Sequence, residues 1–464
     1  MITSQPGSPD GWAPKLLNLR EMESTPSSPV LSPLSVSDAP SASSPQRTST
    51  VSARAVIRPA FWITALALAA AALKIAIALN TFGTNDVVTF YQFGKALNEN
   101  GLEWTYRHSI SFNHPPLTAY YLRAVYQLDH QPFFRDNGLT FPFLLRVPGI
   151  IADLVTVLAL CWMTRQDRQF RLPTWALVLF ALSPVSLMVS GFHGNTDPVM
   201  VMFLVLASLF CLRDKLAWCG LFLAFSCQIK IIPLLLLPIF FFFWLSRRRV
   251  ASFSLVFVLA SAVLWAEPLL KFPLLFLKNV LSYGSFWGIW GITYWLRLTD
   301  LPMFSMVTFY HFPPLQSFVV TVLKLIIIAA VLMMAWRRRN LGKRALLDSL
   351  AYAWIVFFVF APGVCAQYMV WLAPFILILS PTLFAWLVAT SSLFLFFFYN
   401  ITAHGFPWYL AISTNKLNTV WTPWTIWPWA TLIIALVIFW KNAKSADASL
   451  RLFSFATLRD KMRE

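Results

Sequence analysis

The sequence predicts an all-α protein that crosses a membrane about 12 times, within a range of roughly 10 to 13 spans. Two observations lead to this fold class. Of the 464 residues, 58% are hydrophobic and only 12% are charged, whereas about 25% of the residues in a soluble domain are charged. In addition, apolar runs of about 15 to 20 residues, close to the length of a membrane helix, follow one another along the chain.

Composition divides the chain into three parts. Residues 1–57 are rich in Ser, Pro and Thr and lack an apolar period, which predicts a disordered tail. Residues 58–441 contain the apolar runs and form the predicted membrane domain, and residues 442–464 form a short second tail. Because we find neither a signal peptide nor a retrieval signal, we expect a bacterial inner membrane rather than the endoplasmic reticulum.

Each apolar run in the membrane domain is a candidate span. The pairs 198–212/216–228 and 231–246/251–266 are short, and each pair could instead form a hairpin. The candidate spans are residues 60–80, 142–163, 174–190, 198–212, 216–228, 231–246, 251–266, 316–336, 346–361, 368–380, 383–398 and 425–440.

Charge placement predicts how the spans are oriented. The net charge of +17 would suit a polyanion-binding protein, but Lys and Arg are clustered between the apolar runs, so we expect no nucleic acid partner. By the positive-inside rule, these loops and both termini are cytoplasmic. The long aromatic-rich connections 81–141, 267–315 and 400–424 then lie on the opposite side, and the first carries amphipathic helical patterns.

Polar residues on the non-cytoplasmic side predict a single functional site. A charged side chain at the centre of a membrane helix costs about 2.5–3.5 kcal/mol on insertion scales, so it is usually retained for a function. In the predicted topology, the unexplained polar residues all lie on this side or in the nearer half of a span. They are Asn85–Asp86, Asn113–His114, Arg146, Asp153, His193–Asp197, Gln228, Lys230, Arg297, His311, Gln367–Tyr368 and His404.

Asp86 is the candidate catalytic residue. It follows the first span by a few residues, and a carboxylate there can accept a proton from a hydroxyl nucleophile. The alternative is structural, because Asn85 or Asp86 followed by a helical pattern to Leu97 is typical of a helix N-cap. The two roles are compatible.

Two histidine-containing turns are further candidates. His114 precedes Pro115–Pro116 at the predicted start of an amphipathic helix, where it could also be an interfacial polar group. In the segment FHGNTDP, residues 192–198, a tight turn joins two helices. Capping of the second helix explains Asp197 but does not explain His193.

Cations on the same side are candidate phosphate ligands. Lys230 lies between apolar segments that Pro233 interrupts, so a broken helix would expose the ammonium; snorkelling to lipid headgroups is the alternative. Arg146 and Asp153 lie about two turns apart on one helix and share a face. They could join helices, or Arg146 could bind a phosphate through its planar fork of donors.

The sequence lacks the motifs of several other classes. We find no GxGxxG, GxxxxGK[ST], GxSxG or HExxH in a suitable setting, which argues against nucleotide-driven transport by this chain. The five cysteines have no CxxC spacing and are predicted to be packing residues. No cofactor or metal is predicted, because Asn85–Asp86 carries one carboxylate, which alone is a poor divalent-cation site.

Several motifs resemble those of the GT-C superfamily of membrane glycosyltransferases. They are Asp86 after the first span, HPPL at His114–Leu117, RVPGIIADL at residues 146–154, KIIPLLLLP at residues 230–238 and GVCAQYMVWLAPF at Gly363–Phe375. The branch that they resemble contains the polyprenyl-phosphate-sugar mannosyl- and glucosyltransferases, including the GPI mannosyltransferases and the dolichyl-phosphate-glucose glucosyltransferases.

The resemblance implies a helical bundle and a lipid-linked donor. Mannose or glucose would pass from a polyprenyl-phosphate carrier to a lipid-linked or glycan acceptor on the non-cytoplasmic face, with inversion. Asp86 would be the general base, and Lys230, Arg146 or Arg297 would bind the donor phosphate. The further candidate substrate-binding residues are His114, His193, Asp197, Gln367 and Tyr368.

Two other functions fit the same sequence. A transporter or flippase of lipid-linked sugars would share the basic anchors and aromatic loops but would need no general base. A polymerase or ligase of surface polysaccharide would use an undecaprenyl-linked donor and a long external loop with Arg and His. The role of Asp86 separates the transferase from the transporter.

Overall fold

The computed structural model describes stretches between residues 59 and 441, all of which belong to one compact unit, Ile57–Glu464. The predicted tails, residues 1–57 and 442–464, lie outside the described residues. The described stretches are residues 59–109, 111–166, 170–281, 286–299, 301–309, 311–413 and 422–441.

These stretches are almost entirely helical, which confirms the predicted all-α fold class. The helices are α1 (Pro59–Asn80), α2 (Asn85–Glu99), α3 (Gly101–His108), α4 (Pro116–Asp129), α5 (Pro132–Asp136), α6 (Phe141–Gln166), α7 (Thr174–Ala181), α8 (Pro184–Ser186), α9 (Asp197–Leu212), α10 (Leu216–Ile229), α11 (Leu237–Leu245), α12 (Val250–Leu264), α13 (Ala266–Lys271), α14 (Pro273–Leu281), α15 (Gly291–Arg297), α16 (Pro314–Arg338), α17 (Gly342–Phe360), α18 (Ala373–Leu379), α19 (Pro381–Thr402) and α20 (Thr422–Lys441). A π-helix, Leu187–His193, continues α8, and 3₁₀ turns at Ile232–Leu236 and Ala366–Val370 precede α11 and α18.

Within the described residues, 6 helices are long and apolar enough to cross a membrane. They are Phe61–Asn80, Phe141–Arg165, Thr174–His193, Pro314–Arg338, Pro381–Thr402 and Thr422–Lys441. Shorter apolar helices are Asp197–Leu212, Leu216–Ile229, Ile232–Leu245, Val250–Leu264 and Ala366–Leu379, and α17 is a further apolar helix. Each helix coincides with one predicted span, whereas the number of complete crossings stays a prediction.

A pair of packed helices dominates the connection between α1 and α6. α2 and α4 cross closely at Gly94, where a Cβ atom would come within 2.7 Å of the Leu122 carbonyl oxygen. Val87, Phe90 and Phe93 of α2 face Leu122 in an apolar core separate from the main core of the bundle. These are the amphipathic helices expected in the first long connection.

Two short strand pairs lie in the long connections, and one of them links the first connection to the last. Gly83–Thr84 (β1) pairs in parallel with Leu410–Ala411 (β4), and Phe286–Trp287 (β2) pairs antiparallel with Thr308–Phe309 (β3). Because β1 leads directly into α2, the segment after α19 is held against the start of α2.

Basic residues collect at the opposite end, which we call the basic face. Lys343, after α16, is 2.6 Å from Asp214, after α9. The Ser246 hydroxyl, after α11, donates to the Arg339 carbonyl oxygen at 2.9 Å. The cationic residues of the basic face include Arg213, Arg247, Arg338, Lys343 and Arg344.

All five cysteines are free thiols. Cys161, Cys211, Cys219 and Cys227 are buried in the apolar interior, and Cys365 is half-buried.

Candidate active site

Asp86 lies in the first turn of α2, whose N-cap is Thr84 rather than Asn85 or Asp86. The Thr84 hydroxyl accepts a hydrogen bond from the Asp86 N–H at 3.3 Å and donates one to the His193 carbonyl oxygen at 2.9 Å. Thr84 therefore caps α2 in place of Asn85 or Asp86. Its hydroxyl also joins the start of α2 to the turn at His193, which is distant in the sequence. The Asp86 side chain lines a cavity instead.

Asp86 is held through one of its two carboxylate oxygens. Oδ2 accepts hydrogen bonds from Asn195 Nδ2 at 2.8 Å, His193 Nε2 at 3.1 Å and Gln367 Nε2 at 3.1 Å. Among the described residues, none donates to Oδ1, and the Asp86 side chain is 29% exposed. We call Asp86, His193, Asn195 and Gln367 the open cluster, because one carboxylate oxygen is left to face the cavity.

The surroundings of Asp86 favour its ionised form. Burial raises the pKa of the carboxyl, but the hydrogen bond and charge of His193, the charge of Lys230 and the hydrogen bond from Asn195 together lower it below its usual value. The carboxylate is therefore charged at neutral pH, as a proton acceptor must be.

His193 ends the π-helix and contacts two partners. Its Nδ1 lies 2.8 Å from the Tyr399 hydroxyl, and Nε2 faces the carboxylate of Asp86. Since a carboxylate only accepts, Nε2 carries a proton and donates a hydrogen bond to Asp86. Gly194 follows with a φ of 81°, where a Cβ atom would come within 2.4 Å of Val87, so only glycine allows this close turn.

A second charged pair lies beside the open cluster. Asp197, the first residue of α9, is fully buried and lies 2.9 Å from Lys230 Nζ. The Trp371 indole donates to the same carboxylate, and Lys230 Nζ stacks over the Tyr368 ring at 5.0 Å. α10 ends at Ile229 before the 3₁₀ turn, so the helix is broken at Lys230 as predicted.

The cavity between these groups has a volume of about 560 Å³. Asp86, Lys230, Gln367 and Tyr368 lie on its wall, together with neutral polar side chains from α2 and the loop before α4. Those neutral side chains are Asn85, Thr89, Ser111 and Asn113. The wall therefore offers several neutral hydrogen-bonding groups, one carboxylate and one ammonium to a ligand.

His114 also lines the cavity, in an aromatic environment. Its ring centroid is 5.2 Å from that of Phe90 and 5.8 Å from that of Phe112, and the Tyr106 hydroxyl donates to its carbonyl oxygen. Burial and the charge of Lys230 lower the pKa of His114 to about 3, despite the nearby carboxylate. The ring is thus neutral at physiological pH and is suited to hydroxyl groups rather than to a phosphate charge.

An apolar groove of about 410 Å³ adjoins the cavity. Ile231, Ile232 and Tyr368 line both spaces. The rest of the groove is formed mainly by aliphatic side chains of the 3₁₀ turn before α11 and of α16, and Lys324 is the charged residue among those that line it.

Arg146 is not on the cavity wall. Its side chain is 1% exposed, and its guanidinium donates to the hydroxyl of Thr81 and to backbone carbonyl oxygens. These carbonyl oxygens belong to Thr81, Phe82, Pro142, Gly191 and Phe192. The expected phosphate ligand instead joins the end of α1 to the π-helix, because its donors are already used by the protein.

Asp153 and Arg297 also lie away from the cavity. Asp153 accepts from Lys74 at 2.6 Å and from the hydroxyls of Ser186 and Ser190; we call these four residues the closed cluster. Arg297 donates from Nη2 to the Thr422 hydroxyl at 3.0 Å. The structure thus brings together Asp86, His114, His193, Lys230, Gln367 and Tyr368 at the cavity, with Asp197 behind Lys230.

The sequence did not single out Tyr399 or the role of Asn195 as a hydrogen-bond donor to Asp86. Tyr399 lies in an apolar helix and gave no signal.

Fold and cavity together define an all-α polytopic membrane protein with a carboxylate-bearing polar cavity and an adjoining apolar groove. Residues 137–362 match the family model described as Glycosyltransferase family 87, which supports a membrane glycosyltransferase of the GT-C type. The matched range contains His193, Asp197 and Lys230. A comparison with curated protein sequences gave no match. Among the described residues, no group of three or more His, Cys, Asp or Glu side chains could hold a metal ion.

Proposed function

We propose that this glycosyltransferase moves a hexose, mannose or glucose, from a polyprenyl-phosphate donor to a lipid-linked or glycan acceptor, with Asp86 as the general base. The observation that carries the proposal is the arrangement of Asp86. One carboxylate oxygen is fixed by three donors, and the other faces a cavity that also contains Lys230.

The reaction is a single displacement. The acceptor hydroxyl oxygen bonds to the anomeric carbon on the side opposite to the phosphate, and its proton passes to Oδ1 of Asp86. The bond between the anomeric carbon and the phosphate oxygen breaks, and the electron pair leaves on the phosphate. The configuration at the anomeric carbon inverts. Fixing Oδ2 orients Oδ1 before the substrate binds, which lowers the entropy that the transition state loses.

Lys230 is the proposed ligand of the leaving phosphate. Asp197 orients the ammonium from behind, and the rings of Tyr368 and Trp371 pack against it at 5.0 Å and 5.6 Å. An ammonium carries three donors, so one pair with Asp197 leaves donors for a ligand. The charge of Lys230 would stabilise the negative charge that develops on the phosphate.

The apolar groove is the proposed site of the polyprenyl chain. It shares Ile231, Ile232 and Tyr368 with the cavity, so a lipid in the groove would place its headgroup beside Lys230. The aliphatic lining suits a hydrocarbon chain, and the polar cavity suits the sugar.

The cavity is proposed to open on the non-cytoplasmic side. α9 and α10 connect Asp197 and Lys230 at one end with Arg213 and Lys215 at the other. By the positive-inside rule the basic face is cytoplasmic, which also supports cytoplasmic termini.

The test is transfer of a radiolabelled hexose from a polyprenyl-phosphate donor in vesicles that contain the purified protein. Asp86→Asn keeps the shape of the side chain but cannot accept the proton, so we expect a rate lower by about 10²- to 10⁴-fold. Asp214→Asn is the matched control, because Asp214 lies on the basic face and should not affect transfer.

Normal transfer by Asp86→Asn would refute the assignment of the base. A transporter of lipid-linked sugars predicts a different result: wild-type vesicles would move the labelled lipid across the bilayer and form no new glycosidic bond. A polysaccharide polymerase or ligase would show transfer only with an oligosaccharide-linked donor.

A further inference from the structure

We propose that the ends of α11 and α16 on the basic face form a binding site for an anionic phospholipid. Arginines of the two helix ends bind the headgroup phosphate, and apolar side chains of the last helical turns pack against the acyl chains. The site is separate from the proposed transfer reaction, because it lies at the end of α11 that is remote from Lys230.

α11 and α16 contact each other where both helices end. The rings of Phe242 and Trp336 meet edge to face, with their centroids 5.3 Å apart. One turn beyond Phe242, the Ser246 hydroxyl donates to the Arg339 carbonyl oxygen at 2.9 Å. These contacts bring together two runs of three arginines, residues 247–249 and 337–339.

Several of these arginines keep their donors available for a ligand. Arg248, Arg249 and Arg337 are exposed, and within the described stretches no residue forms a hydrogen bond or an ion pair with their guanidinium groups. Arg339 donates from Nη1 to the Trp336 carbonyl oxygen at 2.6 Å and lies over the Trp336 ring, which leaves its other donors. A guanidinium is well suited to phosphate because its planar fork can donate two parallel hydrogen bonds.

The nearby carboxylates are paired with other cations. Asp348 lies 3.7 Å from Arg338 and 3.1 Å from Arg344, and Asp214 lies 2.6 Å from Lys343. The arginines that have no such partner in the described part of the chain therefore carry positive charge that a ligand can neutralise. Near a membrane surface, one such cation strengthens the binding of an anionic lipid by about fivefold.

Apolar side chains extend the site along the outside of the bundle. Leu245 lies one turn before Arg249 and is 38% exposed, while Met333 and Trp336 lie in the turn before Arg337 and are 52% and 49% exposed. A phospholipid can use both surfaces at once, because its phosphate is attached next to its acyl chains. The combination therefore favours a lipid over a soluble anion.

Arg248 occupies a position at which helices usually end in glycine. Its φ is 58°, and the N–H groups of Arg248 and Arg249 donate to the carbonyl oxygens of Leu245 and Trp244, as in a Schellman motif. Glycine adopts this left-handed conformation at a lower cost than arginine does. Arg248→Gly therefore removes the charge without weakening the end of α11, so lipid binding can be tested apart from folding.

The experiment measures lipid binding to the purified protein in detergent by native mass spectrometry. The protein is titrated with phosphatidylglycerol and, separately, with phosphatidylcholine of the same acyl chains, which has no net charge. Glycerol phosphate, which is the anionic headgroup without acyl chains, is added as a competitor at the concentration of the phosphatidylglycerol. The variants are Arg248→Gly and the triple variant Arg248→Gly/Arg249→Gln/Arg337→Gln.

The matched control removes three positive charges from exposed residues of α2, α3 and α5. It is Lys95→Gln/Arg107→Gln/Arg135→Gln. Thermal melting shows that each variant is folded, and Arg248→Gly should melt at the wild-type temperature or above it.

We expect the wild type and the control to prefer phosphatidylglycerol over phosphatidylcholine and to retain it in the presence of glycerol phosphate. Arg248→Gly should bind phosphatidylglycerol about fivefold more weakly, and the triple variant about 10- to 100-fold more weakly. Binding of phosphatidylcholine should change little in either variant.

Three results would overturn the proposal. A folded triple variant that binds phosphatidylglycerol as tightly as the wild type would show that these arginines are not its ligands. Equal binding of the two lipids by the wild type would exclude a site for anionic lipid. Displacement of phosphatidylglycerol by an equal concentration of glycerol phosphate would assign the site to a soluble anion instead.

Discussion

The open and closed clusters both include residues of the π-helix, and they differ in the space beside their carboxylates. In the closed cluster, Asp153 is paired with Lys74 and two serine hydroxyls around a void of only about 10 Å³. In the open cluster, Asp86 keeps one oxygen for a cavity of about 560 Å³. In both clusters the donors among the described residues bind Oδ2, so an unpaired second oxygen does not distinguish the two carboxylates. The large cavity beside Asp86 is the difference that supports the proposal of Asp86 as the general base.

The largest effect that tests this comparison is expected in the closed cluster. Asp153→Asn leaves the Lys74 ammonium buried without its counter-charge, which should lower the free energy of unfolding by about 3–5 kcal/mol. Melting temperature in detergent is the measurement. The double variant Lys74→Met/Asp153→Leu should recover most of the stability, because replacing a whole buried pair with apolar groups is often neutral.

An Asp153→Asn protein that melts like the wild type would contradict the structural role. Loss of transfer by the folded double variant would show that the closed cluster also contributes to the reaction, and the contrast between the clusters would break.

The next effect concerns pH in the open cluster. The pKa of Asp86 lies below the usual carboxylate pKa of about 4. Wild-type kcat/KM should therefore stay constant as the pH falls to that value and should decrease only at lower pH. Asn195→Ala removes a hydrogen bond that favours the ionised form, so the pKa rises and activity should be lost at a higher pH. The measurement is kcat/KM for transfer across the acidic range.

Asn113→Ala is the control for this shift, since Asn113 lines the cavity without donating to Asp86. An acidic limb in Asn195→Ala at the wild-type pH would contradict the proposed control of the Asp86 pKa.

The smallest effect is expected at Tyr399. Tyr399→Phe removes the hydroxyl that contacts His193 Nδ1 and leaves that nitrogen without this partner. One neutral hydrogen bond contributes about 1 kcal/mol, so we expect the transfer rate to fall roughly fivefold. Kinetics in the same vesicles measure it. A loss as large as that of Asp86→Asn would mean that Tyr399 takes part in proton transfer.

Hydropathy predicted the helices well because a long apolar run is by itself enough to indicate a membrane helix, without knowledge of its neighbours. The roles of single polar residues were harder to predict. Thr84, Asn85 and Asp86 are all good N-cap types, and the choice of Thr84 depends on the His193 carbonyl more than 100 residues away. Likewise, Arg146 and Lys230 are both isolated cations in the sequence.

What separates Arg146 from Lys230 is visible only in three dimensions. Backbone carbonyl oxygens from the segment after α1, from α6 and from the π-helix converge on Arg146, whereas Lys230 meets one carboxylate and an open cavity. The motif GVCAQYMVWLAPF pointed to Gln367 and Tyr368, and both reach the cavity. Tyr399 lay within an unbroken apolar run and carried no comparable pattern.

The apolar groove also determines how a lipid-borne donor would arrive. Leu281, Ile328 and Leu332 line it and are 52%, 47% and 42% exposed on the outside of the bundle. In a bilayer this surface faces lipid, so the donor would reach the protein by lateral diffusion within one leaflet. The relevant donor concentration is then its mole fraction among the lipids: added phospholipid would slow the reaction, whereas added buffer would not.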